Sequence, residues 1–252
     1  SSVFAQQVTL QYTAPSSVTI DNVGNYGYTL PNLNFTPGMF NLGCQISDVD
    51  VIINWAKTDG TCTSPGGGNS FHNETSFRVN APSGSQILAV PGTWSGAATT
   101  TNVITTFSQG PGIPSGTPVT GTFGPNNGNL TAYNGLTPFG NWNLSAGDNA
   151  AGDPLCLVSY SVRISTATDA TPPAITGAPG SITIAAASGQ CSAVHTWTTP
   201  GTTDACGATI ARTVGPPSGS TFPVGTTPVT YVATDTYGNT TTHNFSVTVV
   251  DG

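Results

Sequence analysis

Residues 49–55 read VDVIINW, and every second side chain from Val49 to Trp55 is apolar. Side chains alternate between the two faces of a β-strand, so this period of two predicts a strand with one buried face. The pattern returns along the chain, in the stretches 76–79, 157–164, 229–233 and 245–250. Clusters of glycine, proline and asparagine lie between these stretches and are typical of turns. The sequence therefore predicts an all-β protein.

The composition supports the same fold class. Only 6% of the 252 residues are charged, against roughly 25% in an average globular protein. Exposed helix faces are built mainly from Ala, Leu, Glu, Lys, Gln and Arg, and this chain has one lysine, Lys57, and one glutamate, Glu74. Disorder is excluded because 37% of the residues are hydrophobic and regular aliphatic runs continue to the C-terminus.

The charge balance argues against two classes of partner. The formal net charge is −7, whereas nucleic-acid binding depends on lysine and arginine side chains that neutralise phosphates. Electrostatic docking on an anionic membrane is disfavoured for the same reason. The sequence has no run of about 18 apolar residues, so no membrane insertion is predicted.

A change in sequence character near residue 168 predicts a domain boundary. The apolar stretch 157–164 is followed by small polar residues and then by the pair Pro172-Pro173. Two prolines cannot continue a strand ladder, and they stiffen a connection. We therefore expect two domains, 1–168 and 169–252, each large enough to bury a core. Within the first, the Gly-, Thr- and Pro-rich segment 95–129 is expected to form long loops.

The second half carries an ordered series of short motifs. They are Pro172-Pro173-Ala174-Ile175, Val194-His195-Thr196-Trp197, Asp204-Ala205-Cys206, Phe222-Pro223-Val224-Gly225-Thr226, Ala233-Thr234-Asp235 and Gly238-Asn239. In this order and spacing they resemble a hyalin repeat (HYR) module. The resemblance implies an immunoglobulin-like β-sandwich from an extracellular adhesive protein. Trp197 is expected to fill the centre between the two sheets as a large apolar side chain.

A second set of motifs covers residues 38–165. It comprises Ile46-Ser47-Asp48-Val49-Asp50-Val51, His72-Asn73-Glu74-Thr75-Ser76-Phe77-Arg78-Val79, Ala81-Pro82-Ser83-Gly84-Ser85, Phe139-Gly140-Asn141-Trp142-Asn143-Leu144 and Asp148-Asn149-Ala150-Ala151-Gly152-Asp153-Pro154-Leu155. These stretches resemble the P domain found beside subtilisin-like proprotein convertases. The resemblance implies a jelly-roll β-sandwich with a stabilising or adhesive role. Trp142 is expected to be its core tryptophan.

Five cysteines predict two disulfides and one leftover thiol in a secreted chain. None of them forms a C-x-x-C pair, which disfavours zinc ribbons and thioredoxin-type redox chemistry. Many HYR modules carry a cysteine where this chain has His243, so the resemblance leaves Cys191 and Cys206 as a pair. In the first domain we favour Cys44 with Cys62, which flank a strand and its following loop. Cys156 is then expected to be a buried, unpaired thiol.

The residue inventory argues against an enzyme. The chain has three histidines and lacks the G-x-S-x-G, H-E-x-x-H and P-loop motifs. A glycosidase needs two carboxylates placed across a sugar ring, whereas Glu74 is the single glutamate and the aspartates lie mostly in turn contexts.

Four aspartates are candidate calcium ligands. Ca²⁺ takes six to eight oxygen ligands, and Asp48 with Asp50, and Asp148 with Asp153, supply such oxygens. Aspartate also favours turns for purely structural reasons, so the sequence leaves both interpretations open.

These observations favour a non-enzymatic structural or adhesive protein of the extracellular space or cell surface, as a segment or subunit of a surface adhesin or filament. Its partners would be other copies of the chain or neighbouring surface-protein domains. The alternative is a carbohydrate-binding or accessory module of a secreted hydrolase, with glycans as partners. Sheet edges without lysine would favour association between copies, because monomeric proteins guard their edges with charge.

Overall fold

The computed structural model describes residues 5–252 and shows two compact units, which divide between Thr168 and Asp169. Strands make up nearly all of the regular structure, which confirms the all-β prediction. The helices of the described residues are three short 3₁₀ turns, Pro37–Met39, His72–Glu74 and Leu130–Tyr133. Among residues 5–252, no helix is long and apolar enough to cross a membrane.

The described part of the first unit, residues 5–168, contains twelve strands. They are β1 (Gln6–Ile20), β2 (Gly24–Thr29), β3 (Leu33–Phe35), β4 (Ile46–Lys57), β5 (Gly60–Thr61), β6 (Ser64–Pro65), β7 (Ser76–Ala81), β8 (Gly84–Ala89), β9 (Val103–Phe107), β10 (Gly121–Phe123), β11 (Gly140–Asp148) and β12 (Leu155–Thr166). One sheet has the order β1-β12-β4-β9-β10, and the other has the order β2-β11-β7-β8, with β3 also paired to β11. Strands β5 and β6 form a small separate hairpin.

The two sheets of the first unit enclose one hydrophobic core. Trp55 of β4 and Phe77 of β7 belong to opposite sheets, and their ring centroids lie 5.3 Å apart. Trp94 packs against both rings. Trp142 of β11 is fully buried, as the alternation predicts, and its indole Nε1 donates to the Pro138 carbonyl at 2.9 Å.

The segment 95–129 is less irregular than the sequence predicts. It contributes β9, which pairs with β4, and β10, which extends the sheet in parallel to β9. Glycine-, threonine- and proline-rich composition lowers strand propensity, but pairing with the buried strand β4 outweighs that local preference.

The second unit contains eight strands. They are β13 (Ala174–Thr176), β14 (Ile182–Ala185), β15 (Ser192–Val194), β16 (Gly201–Thr203), β17 (Ala208–Val214), β18 (Thr221–Pro223), β19 (Gly225–Asp235) and β20 (Thr240–Val250). The main sheet has the order β14-β20-β19-β17, and the remaining strands form the pairs β13-β16 and β15-β18.

The core of the second unit is small and aromatic. Alternate residues of β19 and β20 are buried, and Tyr231 of β19 stacks near Phe245 of β20. Trp197 packs against Phe245 and Phe222, with ring centroids 5.2 and 5.9 Å away. Trp197 is half-buried and lies outside a regular strand, and its Nε1 donates to the Tyr231 hydroxyl at 3.1 Å.

Candidate functional site

The single lysine of the chain is fully buried. Lys57 is the last residue of β4 and continues the inward-facing series that includes Ile53 and Trp55. Its Nζ lies 2.8 Å from Oδ2 of Asp148, which is the last residue of β11 and is fully buried as well. Strand β11 belongs to the opposite sheet, so this ion pair joins the two layers of the first unit.

Two further carboxylates complete the surroundings of Nζ. Oδ2 of Asp153 is 3.2 Å away and Oε2 of Glu74 is 3.3 Å away, and Nζ also donates to the Asp153 carbonyl. Asp153 lies in the loop before β12, and Glu74 closes the 3₁₀ turn before β7. We call Lys57, Glu74, Asp148 and Asp153 the buried lysine cluster.

Burial controls the electrostatics of this cluster. Desolvation raises the pKa of Asp148, against the opposing effect of the nearby Lys57 ammonium. Desolvation also raises the pKa of Glu74, whose side chain keeps 19% of its surface exposed. Oδ2 of Asp148 accepts a hydrogen bond from the Leu155 backbone N–H at 3.0 Å. Its Oδ1 has no hydrogen-bond partner among the described residues, so this buried oxygen keeps its desolvation cost.

His72 borders the cluster. It is fully buried, its ring meets Trp55 edge-on, and its Nε2 bonds to the Ala98 carbonyl at 2.7 Å. Desolvation lowers the pKa of His72. The neutral ring therefore donates from Nε2, and within residues 5–252 its Nδ1 has no partner.

The four predicted calcium ligands do not form one site. Asp48 and Asp50 lie near the start of β4, nine and seven residues before Lys57, which is about 30 and 23 Å along the strand at ~3.3 Å per residue. Asp50 is engaged by Arg163, whose Nη2 lies 2.6 Å from Oδ2. Asp148 and Asp153 face the Lys57 ammonium. Calcium binding by these residues stays a prediction, and at three of them a cationic side chain already contacts the carboxylate.

A different group of side chains meets the distance requirement for a metal site. In the described part of the chain, ligand atoms of Asp169, Asp204 and Cys206 lie within 4.8 Å of one another. The Cys206 sulfur is disulfide-bonded and cannot act as a thiolate ligand. Two carboxylates remain, which supply at most four of the six to eight oxygens that calcium takes and too few of the four ligands of a structural zinc site.

The predicted disulfide Cys44–Cys62 is wrong. Cys62 is bonded to Cys156, with an S–S distance of 2.02 Å across 94 positions of sequence, so Cys156 is not a leftover thiol. Cys62 lies in the hairpin after β4, and Cys156 lies in β12, where it is the partner of Ala56 in β4. Strand pairing between distant segments therefore brings these two sulfurs together, whereas the prediction assumed pairing between neighbours. Cys44 is disulfide-bonded, but not to Cys62.

The predicted disulfide Cys191–Cys206 is also wrong. Cys191 is an exposed free thiol. It immediately precedes β15, which pairs with β18, whereas Cys206 lies in the turn between β16 and β17. The two cysteines thus flank strands of different sheets, and closeness in sequence does not make them neighbours.

The sequence analysis did not identify Lys57 as a candidate functional residue, although the sequence contains a signal for its burial. The alternation that places Ile53 and Trp55 on the buried face of β4 places Lys57 there too. A lysine in that register must find anionic partners or lose its charge, because an unpaired buried ammonium is very costly. The identity of those partners could not be read from spacing, since they come from three distant segments.

Comparison with known proteins concerns the second unit. Residues 168–249 match the model of the HYR domain. Hyalin from Strongylocentrotus purpuratus is 37% identical over 94 residues, which cover 36% of this chain and 8% of hyalin. The residues matched by the HYR model include the motifs around Trp197 and Asp235, and the match confirms the resemblance drawn from them. The second unit of this chain is therefore a HYR module.

Proposed function

We propose that this chain is a non-enzymatic, extracellular structural or adhesive module that acts as a segment or subunit of a surface adhesin or filament. The HYR module and the similarity to hyalin support an adhesion-type role outside the cell. The partners in this proposal are other copies of the chain or neighbouring surface-protein domains. We take the first unit as a P-domain-like jelly roll and the second as an immunoglobulin-like sandwich.

The edge strand β1 is the feature that most directly supports association between copies of the chain. Strand β1 spans fifteen residues, contains no charged side chain and pairs with β12 on one side. It ends the sheet order of the first unit, so its other side has no strand partner among the described residues. An edge of this kind offers backbone N–H and C=O groups to an added strand.

The usual protection against such pairing is missing from β1. Natural edges are blunted by charged side chains, above all by lysine. The single lysine, Lys57, is buried in the core and guards no edge. The outward residues of β1 include Thr9, Gln11 and Thr13, which are exposed and can hydrogen-bond across a contact. Pro15 is the one feature that interrupts the ladder, near a register shift between Thr13 and Val18.

The alternative, a carbohydrate-binding or accessory module, has weaker support. Sugar-binding grooves usually present aromatic rings, and an exposed tryptophan platform in the first unit would favour this function. Trp55, Trp94 and Trp142 are instead buried in the core of that unit. Tyr28 and Phe71 are exposed, but they lie on separate elements.

Light scattering on the purified native chain tests the proposal. We expect concentration-dependent association that is weakened in the double variant Thr9→Lys/Thr13→Lys, because two ammonium groups on β1 oppose edge-to-edge pairing. The matched control is Thr230→Lys/Thr234→Lys, which adds the same charges at the same spacing to β19, a strand paired on both sides.

Two results would contradict the proposal. One is a strictly monomeric chain at all concentrations, with and without a calcium chelator, which would leave the binding-module alternative in place. The other is an equal loss of association in both lysine variants, which would attribute the effect to net charge and not to the β1 edge.

A further inference from the structure

The reactive ends of Lys57 and Asp148 lie within reach of a chemical bond. Nζ is 2.8 Å from Oδ2, and neither side chain has exposed surface. Reacting groups held about 3 Å apart gain much of the entropy that a bimolecular reaction would have to supply. We propose that Lys57 and Asp148 condense into an intramolecular amide bond between the Lys57 Nζ and the Asp148 Cγ, which ties β4 to β11.

Desolvation favours the condensed product. In water, an ammonium and a carboxylate are well hydrated, and their condensation to an amide is uphill. In the core, both ions have lost that hydration, and the buried ion pair recovers only part of the cost. A neutral amide needs just one donor and one acceptor satisfied, so the dry core shifts the equilibrium toward the bond.

Glu74 is placed to move the protons. Its Oε2 lies 3.3 Å from Nζ, and its partly exposed side chain connects the reacting atoms to solvent. The raised pKa of Glu74 suits a group that must both accept and return a proton. Desolvation raises the pKa of the Asp148 carboxyl, which favours uptake of the proton that makes Cγ electrophilic.

A backbone N–H group completes the reactive site. The Leu155 N–H donates to Oδ2 of Asp148 at 3.0 Å and can stabilise negative charge that develops on this oxygen. Oδ1, which has no partner among residues 5–252, is then the hydroxyl oxygen that leaves. Asp153 is the less favourable partner because its Oδ2 lies 3.2 Å from Nζ, against 2.8 Å for Oδ2 of Asp148.

The reaction balances without an oxidant or cofactor. Through Glu74, the Lys57 ammonium gives one proton to Oδ1 of the Asp148 carboxylate, and the free Nζ lone pair attacks Cγ of the resulting carboxyl. The Nζ–Cγ bond forms, Glu74 returns a proton to Oδ1, and the Cγ–Oδ1 bond breaks with release of water. The proton that Glu74 delivers to Oδ1 is the second one that Nζ loses as the amide forms, so no net proton is taken up or released. The sum is ammonium plus carboxylate giving amide plus one water.

The bond would give the first unit a covalent tie between its two sheets. Hydrogen-bonded sheets facing each other across a core can be pulled apart, whereas an amide between β4 and β11 holds under load. The inference is independent of self-association through β1, since a monomeric chain can carry the bond equally well.

Mass spectrometry of the reduced, denatured chain tests the proposal directly. We expect the native protein to be lighter than its sequence mass by one water molecule. Lys57 is the single lysine, so a lysine-specific protease has one cleavage site in the chain. An amide on Nζ blocks that site, and the denatured protein should remain one fragment. A full sequence mass together with cleavage after Lys57 would overturn the proposal.

Variants assign the roles of the carboxyl groups. Asp148→Ala and Glu74→Gln should both restore the full mass and the cleavage, the first by removing the electrophile and the second by removing the proton relay. Asp153→Asn is the matched control, because it removes a neighbouring carboxylate and should keep the water loss. A water loss that disappears in Asp153→Asn but persists in Asp148→Ala would place the bond elsewhere and contradict the assignment. Circular dichroism shows whether each variant is folded, and the measurement on the native chain needs no variant.

Discussion

The first unit keeps a lysine and an aspartate fully dry inside its core, whereas the second unit buries mainly aromatic and aliphatic side chains. In the first, Nζ of Lys57 and three carboxylates lie between sheets that are covered by apolar residues such as Trp55. In the second, the cluster around Phe222 and Phe245 is smaller, and its tryptophan, Trp197, is half-buried. A large core can therefore hold a charged group away from water when several oppositely charged groups surround it. In a smaller core, polar residues lie at the turns, close to solvent.

Removing the Cys62–Cys156 disulfide is expected to have the largest effect. The double variant Cys62→Ala/Cys156→Ala opens a link across 94 positions, and the chain-entropy model puts the loss near ~4–5 kcal/mol of unfolding free energy. Urea unfolding followed by amide NMR signals assigned to each unit measures the loss. The signals of the second unit should unfold at an unchanged midpoint, and equal losses in both units would contradict independent cores.

Truncating one tryptophan in each unit measures how much each core depends on its central aromatic side chain. Trp142→Ala removes a fully buried side chain and should cost the first unit about 4 kcal/mol. Trp197→Ala should cost the second unit about 2 kcal/mol, because the half-buried ring gives up less transfer free energy and leaves a cavity that water can enter. The same NMR-resolved urea titration gives both values. A larger loss for Trp197→Ala would show that the second core depends more on its aromatic cluster than its burial indicates.

The ion pair between Asp50 and Arg163 is expected to contribute less than the buried lysine cluster. The Arg163 side chain keeps 35% of its surface exposed, so solvent screens the pair. Asp50→Asn should therefore cost about 1 kcal/mol. Asp48→Asn is the control on the same face of β4, and it should be neutral or slightly stabilising, since burial and the neighbouring Asp50 raise the pKa of Asp48. Equal losses of unfolding free energy in the two variants would mean that the contact between Arg163 and Asp50 adds no stability of its own.

The two units are expected to respond to acid with opposite signs. In the second unit, desolvation opposes ionisation of Asp235, but hydrogen bonds from Asn239 and Tyr237 together outweigh it and lower the pKa of Asp235. Its contribution to stability is therefore present above the unfolded pKa of about 3.9 and is lost as the pH falls through the lower folded pKa. In the first unit, the raised pKa of Glu74 gives a contribution that is present below the unfolded pKa of about 4.3 and is lost as the pH rises through the folded pKa.

Urea unfolding between about pH 2.5 and pH 6 checks these signs. Asp235→Asn should flatten the acid dependence of the second unit, and Glu74→Gln should flatten the opposing slope in the first. The effect of either change on the other unit is the internal control. A steeper acid loss in the Asp235→Asn variant would contradict the role of the turn carboxylate.

The sequence predicted the features that depend on neighbours along the chain. The period of two from Val49 to Trp55 identified a strand and its buried face, and the motifs around Trp197 identified the HYR module. The cysteine pairings failed because they were inferred from nearness in sequence. Disulfide partners are set by which strands lie side by side, and β12 lies beside β4 although about a hundred residues separate them.

Local sequence patterns were enough to predict the fold class, the HYR module and the burial of Trp142, because alternation and turn chemistry are local properties of a strand wherever it is placed. The disulfide between Cys62 and Cys156 and the ion pair between Lys57 and Asp148 become visible only in the folded structure. Those contacts depend on the order of strands within each sheet and on how two sheets face each other. Such long-range pairing is the outcome of packing a whole core, and no short window of sequence encodes it.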